Sequence, residues 1–200
     1  MTKPSVQGER PGRETRRRLM GAAVELIAEQ GWAGVTTRAV AERAGVNHSL
    51  VHYHFGSVDG LLFQAATAAL AEAGDEALAL LEDDDLASGL KASLEALAET
   101  VEQGPLAVAT VEFLVQACRH DEMRAWLGDV LTQYREVMAE RFRRAKADEA
   151  LADLDPEALA VLVAALFDGL TLHLIVDPDL DLQQAIDTLV QAITTRKEPR

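Results

Sequence analysis

The sequence predicts an all-α protein with a small N-terminal head and a larger C-terminal body. Alanine and leucine dominate the chain, whereas β-branched and aromatic residues are scarce, and this balance favours helices over strands. Apolar residues recur at helical spacing in successive segments, and no segment shows the alternation of a half-buried strand. We therefore expect about nine helices. The expected division is a flexible basic arm over 1–12, a three-helix head over 13–60 and a body over 61–200.

The first helix is expected over 13–30. Its apolar residues share one helical face, and Gly31 supplies the stop. The residues of this face are Leu19, Ala22, Ala23, Leu26 and Ile27.

Two short helices follow, over about 37–44 and 48–54. Thr36 and Asn47 are suitable N-caps, because each is preceded by a valine and followed four residues later by another. Gly45 lies between the two helices, where glycine accepts a tight turn at little cost. Ser57 is expected to cap a long fourth helix that links the head to the body.

The body is predicted to contain five further helices, over roughly 88–103, 105–118, 121–147, 156–176 and 182–195. Asp155, Pro156 and Glu157 form a strong helix start, with a cap, a proline at the first position and an acid in the first turn. The acidic run from Glu82 to Asp85 is interpreted as a solvated loop rather than a cation site.

Charge is distributed unevenly along the chain, whose net charge is −14. Residues 1–60 hold eight Lys/Arg and six Asp/Glu, which gives +2, and the remainder holds eleven and twenty-seven, which gives −16. A weakly basic head can bind DNA locally while a strongly acidic body stays away from it.

Residues 37–55 meet the requirements of a helix-turn-helix, which needs two short helices, a sharp turn and an exposed second helix. Short capped helices also occur in helical proteins that bind no DNA, so spacing alone leaves both interpretations open. The stretch over 36–57, TTRAVAERAGVNHSLVHYHFGS, resembles the DNA-binding head of the TetR family of transcription regulators. The detailed resemblance covers about 13–63, and the body resembles the family in size, helicity and the late segment over 165–170.

The resemblance implies a repressor that binds a palindromic operator as a homodimer and is released by a small-molecule effector. Residues at the start of the first short helix and along the second would contact phosphates or bases in double-stranded DNA, aided by arginines of the first helix. These residues are Thr36, Thr37, Arg38, Asn47, His48, Ser49, His52, Tyr53, His54, Arg16 and Arg17.

Two positions depart from the family pattern. His52 stands where the family usually has a phosphate-contacting tyrosine, and Val58 stands where many members have a lysine. The basic arginines over 10–18 can compensate. The alternative is a helical small-molecule binding or interaction protein whose degenerate head no longer binds DNA, and a helical enzyme is a second alternative.

The body is expected to hold a ligand pocket and a dimer interface, as in the resembled family. The larger or polarisable side chains proposed for the pocket are Phe113, Cys118, Trp126, Tyr134, Phe167 and His173. The apolar side chains proposed for the interface are Leu162, Leu166, Leu170, Ile186, Leu189, Val190 and Ile193.

No catalytic motif, cofactor fingerprint or metal-ligand pattern is recognised. His48 and His52 have the spacing of two zinc ligands, but Ser49 stands where a zinc protease needs glutamate. The single cysteine, Cys118, excludes a disulfide within one chain and suits a reducing cytoplasm. The longest apolar run, over 159–176, is interrupted by polar residues, so no membrane span is expected.

Overall fold

The computed structural model describes residues 11–80, 85–147 and 154–194, and these ranges form nine α-helices without a β-strand. The all-α prediction is therefore confirmed. The helices are α1 Pro11–Gln30, α2 Thr37–Ala44, α3 Ser49–Phe55, α4 Val58–Leu80, α5 Leu86–Gln103, α6 Pro105–Ala117, α7 Asp121–Ala147, α8 Pro156–Val176 and α9 Gln183–Thr194, and a short 3₁₀ turn, Trp32–Gly34, follows α1.

The helix boundaries differ from the predicted ones by at most two residues. α1 begins at Pro11, inside the predicted arm, because proline fits the first turn of a helix, where no N–H partner is needed. The rest of that arm, including Arg10, lies outside the described residues, as does Glu82–Asp84 of the acidic run.

Short polar side chains cap the helices as predicted. Thr36 Oγ1 accepts a hydrogen bond from the Ala39 N–H at 3.2 Å, and Asn47 Oδ1 accepts one from the Ser49 N–H at 2.9 Å. Ser57 and Asp155 cap α4 and α8 in the same way, by accepting the N–H groups of Gly60 and Ala158.

One cap was not foreseen. Asp85, expected in a solvated loop, accepts both the N–H and the hydroxyl of Ser88, at 3.1 and 2.6 Å, and starts α5. These hydrogen bonds lower the pKa of the Asp85 carboxyl.

The chain divides into two compact units, one extending to Ala69 and the other beginning at Leu70. We call the first the head and the second the body. The predicted apolar face of α1 forms part of the head core, where its five residues are at most 5% exposed. They share that core with buried residues of α2, α3 and α4, among them Val40, Val51, Phe55, Leu61 and Leu62.

The body core is an apolar cluster contributed by α5, α7, α8 and α9. Full burial of one leucine or phenylalanine contributes about 1.5–3 kcal/mol, so these contacts dominate the stability of the unit. The largest fully buried members are Leu90, Leu94 and Phe142.

Helix α8 is long and apolar enough to cross a membrane when judged by length and composition alone. The polar residues within α8 therefore do not bring its mean hydropathy below that of a membrane-spanning segment. A single such helix is weak evidence for a membrane, because helices of water-soluble proteins pass the same test.

Candidate nucleic-acid interface and body cavity

The turn between α2 and α3 depends on glycine. Gly45 adopts φ 63° and ψ 40°, the left-handed conformation that side chains disfavour. The Gly45 N–H bonds to the Glu42 carbonyl at 3.0 Å, and the Val46 N–H bonds to the Ala41 carbonyl at 2.9 Å. This paired arrangement is a Schellman motif, which ends α2 sharply and directs the chain into α3.

Arg18 of α1 supports the same turn. Its guanidinium donates to the Ala44 carbonyl and to the Gly45 carbonyl, the latter at 3.4 Å. A methyl group at Gly45 would lie 2.8 Å from Arg18 Nη2. The turn is therefore fixed by its own backbone and by a cation from the preceding helix.

The second short helix presents polar side chains to the outside. Ser49, His52 and Tyr53 of α3 are exposed, and Tyr53 keeps 79% of its surface accessible. Val51 and Phe55, on the opposite face, are buried. Of the other residues predicted to contact DNA in α3 and at the start of α2, Thr36, Arg38, Asn47 and His48 are exposed, whereas Thr37 and His54 are partly buried.

The end of α3 carries local contacts between these side chains. His52 Nδ1 lies 3.0 Å from the Gly56 carbonyl oxygen, within hydrogen-bond distance. The rings of Tyr53 and His54 meet edge to face, with their centroids 4.9 Å apart. These contacts restrict the rotamers of the side chains that an outside partner would meet.

Arg16 is held within the head. Its guanidinium carbon lies 4.5 Å from the centre of the Phe55 ring, and its Nη2 donates to Gln64 Oε1 at 2.6 Å. Its Nη1 donates to the His54 carbonyl at 3.4 Å. Arg16 thus ties α1 to α3 and α4, and its contact with phosphate stays a prediction.

Arg17 is placed differently from its neighbour. Its side chain is 74% exposed and pairs with Glu14 one turn earlier, at 2.8 Å. A surface pair of this kind exchanges readily with another anion. Of the two arginines predicted to contact phosphate, Arg17 is the more accessible.

The body contains a cavity of about 230 Å³. Five helices, α4 to α8, contribute to its lining, and most of the lining atoms are apolar. The face of α6 that contains Leu106, Thr110 and Leu114 borders it, and so do Ala164 and Thr171 of α8. An apolar cavity with a few polar groups is the usual form of a small-molecule site.

The hydroxyl groups around this cavity donate hydrogen bonds to backbone carbonyls of the protein. Thr100, Thr110 and Thr171 each donate to the carbonyl four residues earlier, at 2.8–2.9 Å. Ser93 donates to the Gly89 and Ala77 carbonyls at 2.9 and 3.1 Å, and Tyr134 donates to the Ala71 carbonyl at 3.2 Å. A hydroxyl has only one proton to donate, so these side chains offer a ligand acceptors but no donor.

Two carboxylates, those of Glu76 and Asp168, complete the polar lining. Desolvation raises the pKa of the Asp168 carboxyl, which borders the cavity, although the residue as a whole is exposed, as is Glu76. Burial, with the nearby charge of Asp75 as a smaller cause, also raises the pKa of the Tyr134 phenol.

The structure brings two of the six predicted pocket residues, Tyr134 and Phe167, to the cavity. Phe113 and Trp126 instead pack edge to face, with centroids 5.6 Å apart, and border no part of it. Cys118 is exposed at the end of α6. His173 is exposed, because it lies two positions beyond Thr171 and so faces away from the cavity.

The predicted interface residues differ in burial within the single chain. Ile186 is 3% exposed and belongs to the body core, against which Leu166, Leu170, Leu189 and Val190 pack while remaining partly accessible. The helical spacing of these apolar residues was interpreted as a dimer interface, although burial within one chain gives the same spacing. Leu162 is 67% exposed, and the side chain of Ile193 lies outside the described residues.

Sequence reasoning missed several residues that the structure brings forward. Asp168 is one of the polar residues that interrupt the apolar run over 159–176, and the structure shows that it lines the cavity while remaining exposed. Glu76 and Gly74 of α4 gave no comparable signal. The predicted interface also did not include Val161, Leu172 and Val176, which are apolar and exposed on α8.

This head, with its exposed second helix, and this cavity-containing body define a helix-turn-helix transcription regulator. The family comparisons agree with that class. Residues 19–65 match the family of bacterial regulatory proteins called tetR, and residues 86–196 match the BetI-type transcriptional repressor C-terminal family. The chain belongs to the TetR family, and its body is of the BetI type.

Individual relatives support the assignment. The chain is 30% identical over 158 residues to the HTH-type transcriptional regulator BetI of Rhizobium meliloti, covering 78% of this chain and 75% of the relative. It is 32% identical over 161 residues to BetI of Agrobacterium fabrum, covering 78% and 74%.

Solved structures share the fold. A TetR-family regulator from Rhodococcus sp. superposes with a TM-score of 0.74 at 25% identity, over 92% of this chain and all of the other. A transcriptional regulator from Saccharomonospora viridis, solved in complex with choline, gives a TM-score of 0.68 at 24% identity, over 90% and 94%.

Proposed function

We propose that this TetR-family member is a ligand-responsive repressor, which binds a palindromic operator as a homodimer and is released by a small molecule. The observation that carries the proposal is the presence in one chain of an exposed α3 face and an apolar cavity. The helix α4 contributes to both units, since it begins at Val58 beside the α3 turn and lines the cavity from Leu70 to Leu78.

In this proposal α3 enters the major groove and reads bases through His48 and Ser49. Asn47, His52, Tyr53 and His54 extend the contact along the groove and the adjacent backbone. Thr36, Thr37 and Arg38, at the start of α2, and Arg17 of α1 bind phosphate. Base contacts supply sequence preference, whereas phosphate contacts supply affinity that falls with salt.

The homodimer is proposed to form through α8 and α9. The outer face of α8 carries Val161, Leu162, Leu172 and Val176, which are 52%, 67%, 48% and 78% exposed. Large apolar side chains gathered on one helix face mark an association surface. Pairing with a second copy would create a four-helix interface and place two α3 helices about 34–36 Å apart on DNA.

Release by effector is proposed to act through α4. A molecule in the cavity contacts residues of α4 between Leu70 and Leu78, so it can favour one position of this helix over another. The spacing of the two α3 helices would change with it. The effector can shift DNA affinity only by its difference in affinity for the two states.

The alternative is a binding protein whose head no longer holds DNA. It is favoured by Val58, which supplies no cation at the start of α4. In the proposed function, Arg17 and Arg38 supply the phosphate contacts instead.

The experiment is to incubate the full-length protein with sheared DNA from its source organism and to sequence the bound fragments. Enrichment of a palindromic site supports the proposal, and the genes beside that site suggest effectors to test for release. A folded dimer that enriches no site at low salt would contradict the proposal and favour the alternative.

A further inference from the structure

We infer that His52 binds a DNA phosphate only as an imidazolium, so that DNA binding takes up protons and tightens as the pH falls from about 8 to about 6. The inference rests on the proposed function for one point, that the exposed face of α3 meets DNA. It adds a residue whose charge state sets the affinity, and with it a solution condition to which the protein responds.

Histidine is concentrated on the face of the head that is proposed to meet DNA. Three of the five histidines of the chain lie between positions 48 and 54, at the start of α3 and within it. His48 and His52 are exposed and four residues apart, so they share one side of the helix, whereas His54 is partly buried. Histidine is the side chain whose charge ordinarily changes between about pH 5 and 8. This face can therefore gain positive charge as the solution becomes mildly acidic.

The hydrogen bond of the His52 ring determines which nitrogen carries the proton in the neutral form. Nδ1 lies 3.0 Å from the Gly56 carbonyl oxygen. A carbonyl oxygen only accepts, so Nδ1 is the donor in this contact. A neutral imidazole has a single N–H, and its Nε2 is then an acceptor. Neutral His52 thus presents a lone pair, and no donor, to an outside partner.

A phosphate oxygen is also an acceptor, so neutral His52 has no proton with which to bind it. A proton taken from the solvent by Nε2 supplies both a second N–H donor and a positive charge, while the Nδ1–H keeps its bond to Gly56. The contact with phosphate is then a charge-assisted hydrogen bond, roughly twice as strong as one between neutral groups. The bound and free forms of His52 therefore differ by one proton.

The position of His52 in α3 suits a contact with the DNA backbone. In a helix-turn-helix, residues at the start of the second helix contact base edges, and His48 has that place here. His52 lies in the last turn of α3, about 6 Å further along the helix axis, towards the edge of the groove where the phosphates lie. The unpaired carbonyls at the end of a helix also favour a nearby cation.

Other charged groups lie on the elements around α3. They are Arg13, Arg16 and Arg18 of α1, Arg38 and Glu42 of α2, and Asp59 of α4. Within residues 11–80, neither these groups nor the other histidines of α3 form a hydrogen bond or an ion pair with the His52 ring. A DNA phosphate would therefore supply a negative charge that no carboxylate of this range supplies by direct contact.

The test is the affinity of the full-length protein for DNA, measured by fluorescence anisotropy at fixed salt between about pH 6 and 8. The proposed dimer carries two copies of His52, and we expect it to bind the enriched operator at least about tenfold more tightly at the lower pH. A scrambled duplex should show the same gain, because phosphate contacts carry no sequence information. An affinity that does not change with pH, or a gain confined to the operator, would overturn the inference.

Variants test whether His52 is the responsible group. His52→Gln keeps a side chain that can hydrogen-bond without charge, and its affinity should vary less than about threefold over the same range. His52→Lys carries a permanent cation, so it should bind more tightly than the wild type at the higher pH. His48→Gln should lose sequence preference but keep the gain, and His120→Gln, at an exposed position of the body, is the matched control that keeps both. A folded His52→Gln with the full gain, or a His48→Gln without it, would overturn the inference.

Two further readings count the proton and the charge. Calorimetry in buffers of different ionisation enthalpy measures proton uptake on binding, and the wild type should take up as much as about one proton per His52 more than His52→Gln does. The slope of log affinity against log salt should also be steeper at the lower pH, by about one per His52. Equal proton uptake by the two proteins would overturn the inference.

These results separate the role of His52 from the proposed function. Operator binding that does not change with pH supports the regulator and overturns the role of His52. Binding to all duplexes alike, tighter at the lower pH and lost as a pH effect in His52→Gln, supports the role of His52 and contradicts a sequence-specific regulator. Binding to no duplex at either pH contradicts both.

Discussion

Tyr134 of α7 lies so close to Gly74 of α4 that a methyl group added at Gly74 would overlap the phenol ring and its oxygen. The Tyr134 hydroxyl also donates to the Ala71 carbonyl one turn earlier, at 3.2 Å. Both residues line the cavity. Within the body, the position of α4 against α7 therefore depends on the absence of a side chain at Gly74.

Gly74→Ala should destabilise the body by about 1–3 kcal/mol, because an added methyl group forces the ring or the helix to move. Tyr134→Leu removes the overlapping atoms, so the double variant should lose less stability than the sum of the single changes. Urea unfolding of the four proteins measures this coupling. Gly128→Ala on α7, where the added carbon meets nothing within 4 Å, is the control. Strict additivity would contradict the proposed contact.

Gly45→Ala should destabilise the head by about 1 kcal/mol or more, because alanine disfavours the left-handed conformation. The contact with Arg18 Nη2 adds to this cost. Gly21→Ala in α1 is the matched control, since its new methyl group meets nothing within 4 Å and should stabilise the helix by about 0.5–1 kcal/mol. Thermal unfolding and operator affinity together separate the two variants. Equal effects would show that the turn does not require glycine.

Arg16→Ala and Arg17→Ala should change different properties, stability in the first case and DNA affinity in the second. Arg16 contacts Phe55, Gln64 and the His54 carbonyl, so its loss should lower the stability of the head. Arg17 is 74% exposed, so its loss should leave unfolding unchanged and weaken binding to all DNA sequences alike. The slope of log affinity against log salt should fall by about one for Arg17→Ala. Unfolding curves and anisotropy at several salt concentrations check both outcomes, and a stable Arg16→Ala with a reduced salt slope would reverse the assignment.

We propose pairing through α8 and α9, so Leu172→Glu should convert the proposed dimer into a monomer, because it places a charge on the exposed apolar face of α8. Val137→Glu is the control, since Val137 of α7 is 47% exposed, close to the 48% of Leu172, and lies outside the proposed interface. Light scattering after gel filtration distinguishes one chain of 21.6 kDa from two. A dimeric Leu172→Glu, or a monomeric Val137→Glu, would contradict the use of this face.

Much of the fold follows from local signals in the sequence. The caps at Thr36, Asn47, Ser57 and Asp155 were predictable, because capping depends on a short polar side chain and its next three residues. The turn at Gly45 was predictable for a similar reason, since its conformation is set by the residue itself.

The cavity was less predictable, because its lining depends on how five helices pack. Trp126 and Phe113 are large and polarisable, which suggested a ligand site, yet the two rings pack against each other. Ile186 shows the period of an interface residue, yet it is buried within its own chain. Periodicity identifies the apolar face of a helix but does not identify the surface that covers it.

Arg16 shows the same limit in the head. A run of arginines near a helix-turn-helix suggests phosphate contacts, but one of the run stacks on Phe55 and its neighbour is exposed. The difference depends on the helical face that each residue occupies relative to α3 and α4.

The most direct measurement of the central claim is the affinity of the protein for the enriched operator relative to a scrambled duplex of the same length and composition. It is made by fluorescence anisotropy at fixed salt, for the wild type and for His48→Ala. The account predicts operator binding at least about 10³-fold tighter than scrambled binding for the wild type. It predicts a loss of about 1–3 kcal/mol of that preference in His48→Ala. Equal affinity of the wild type for the two duplexes would contradict a sequence-specific regulator.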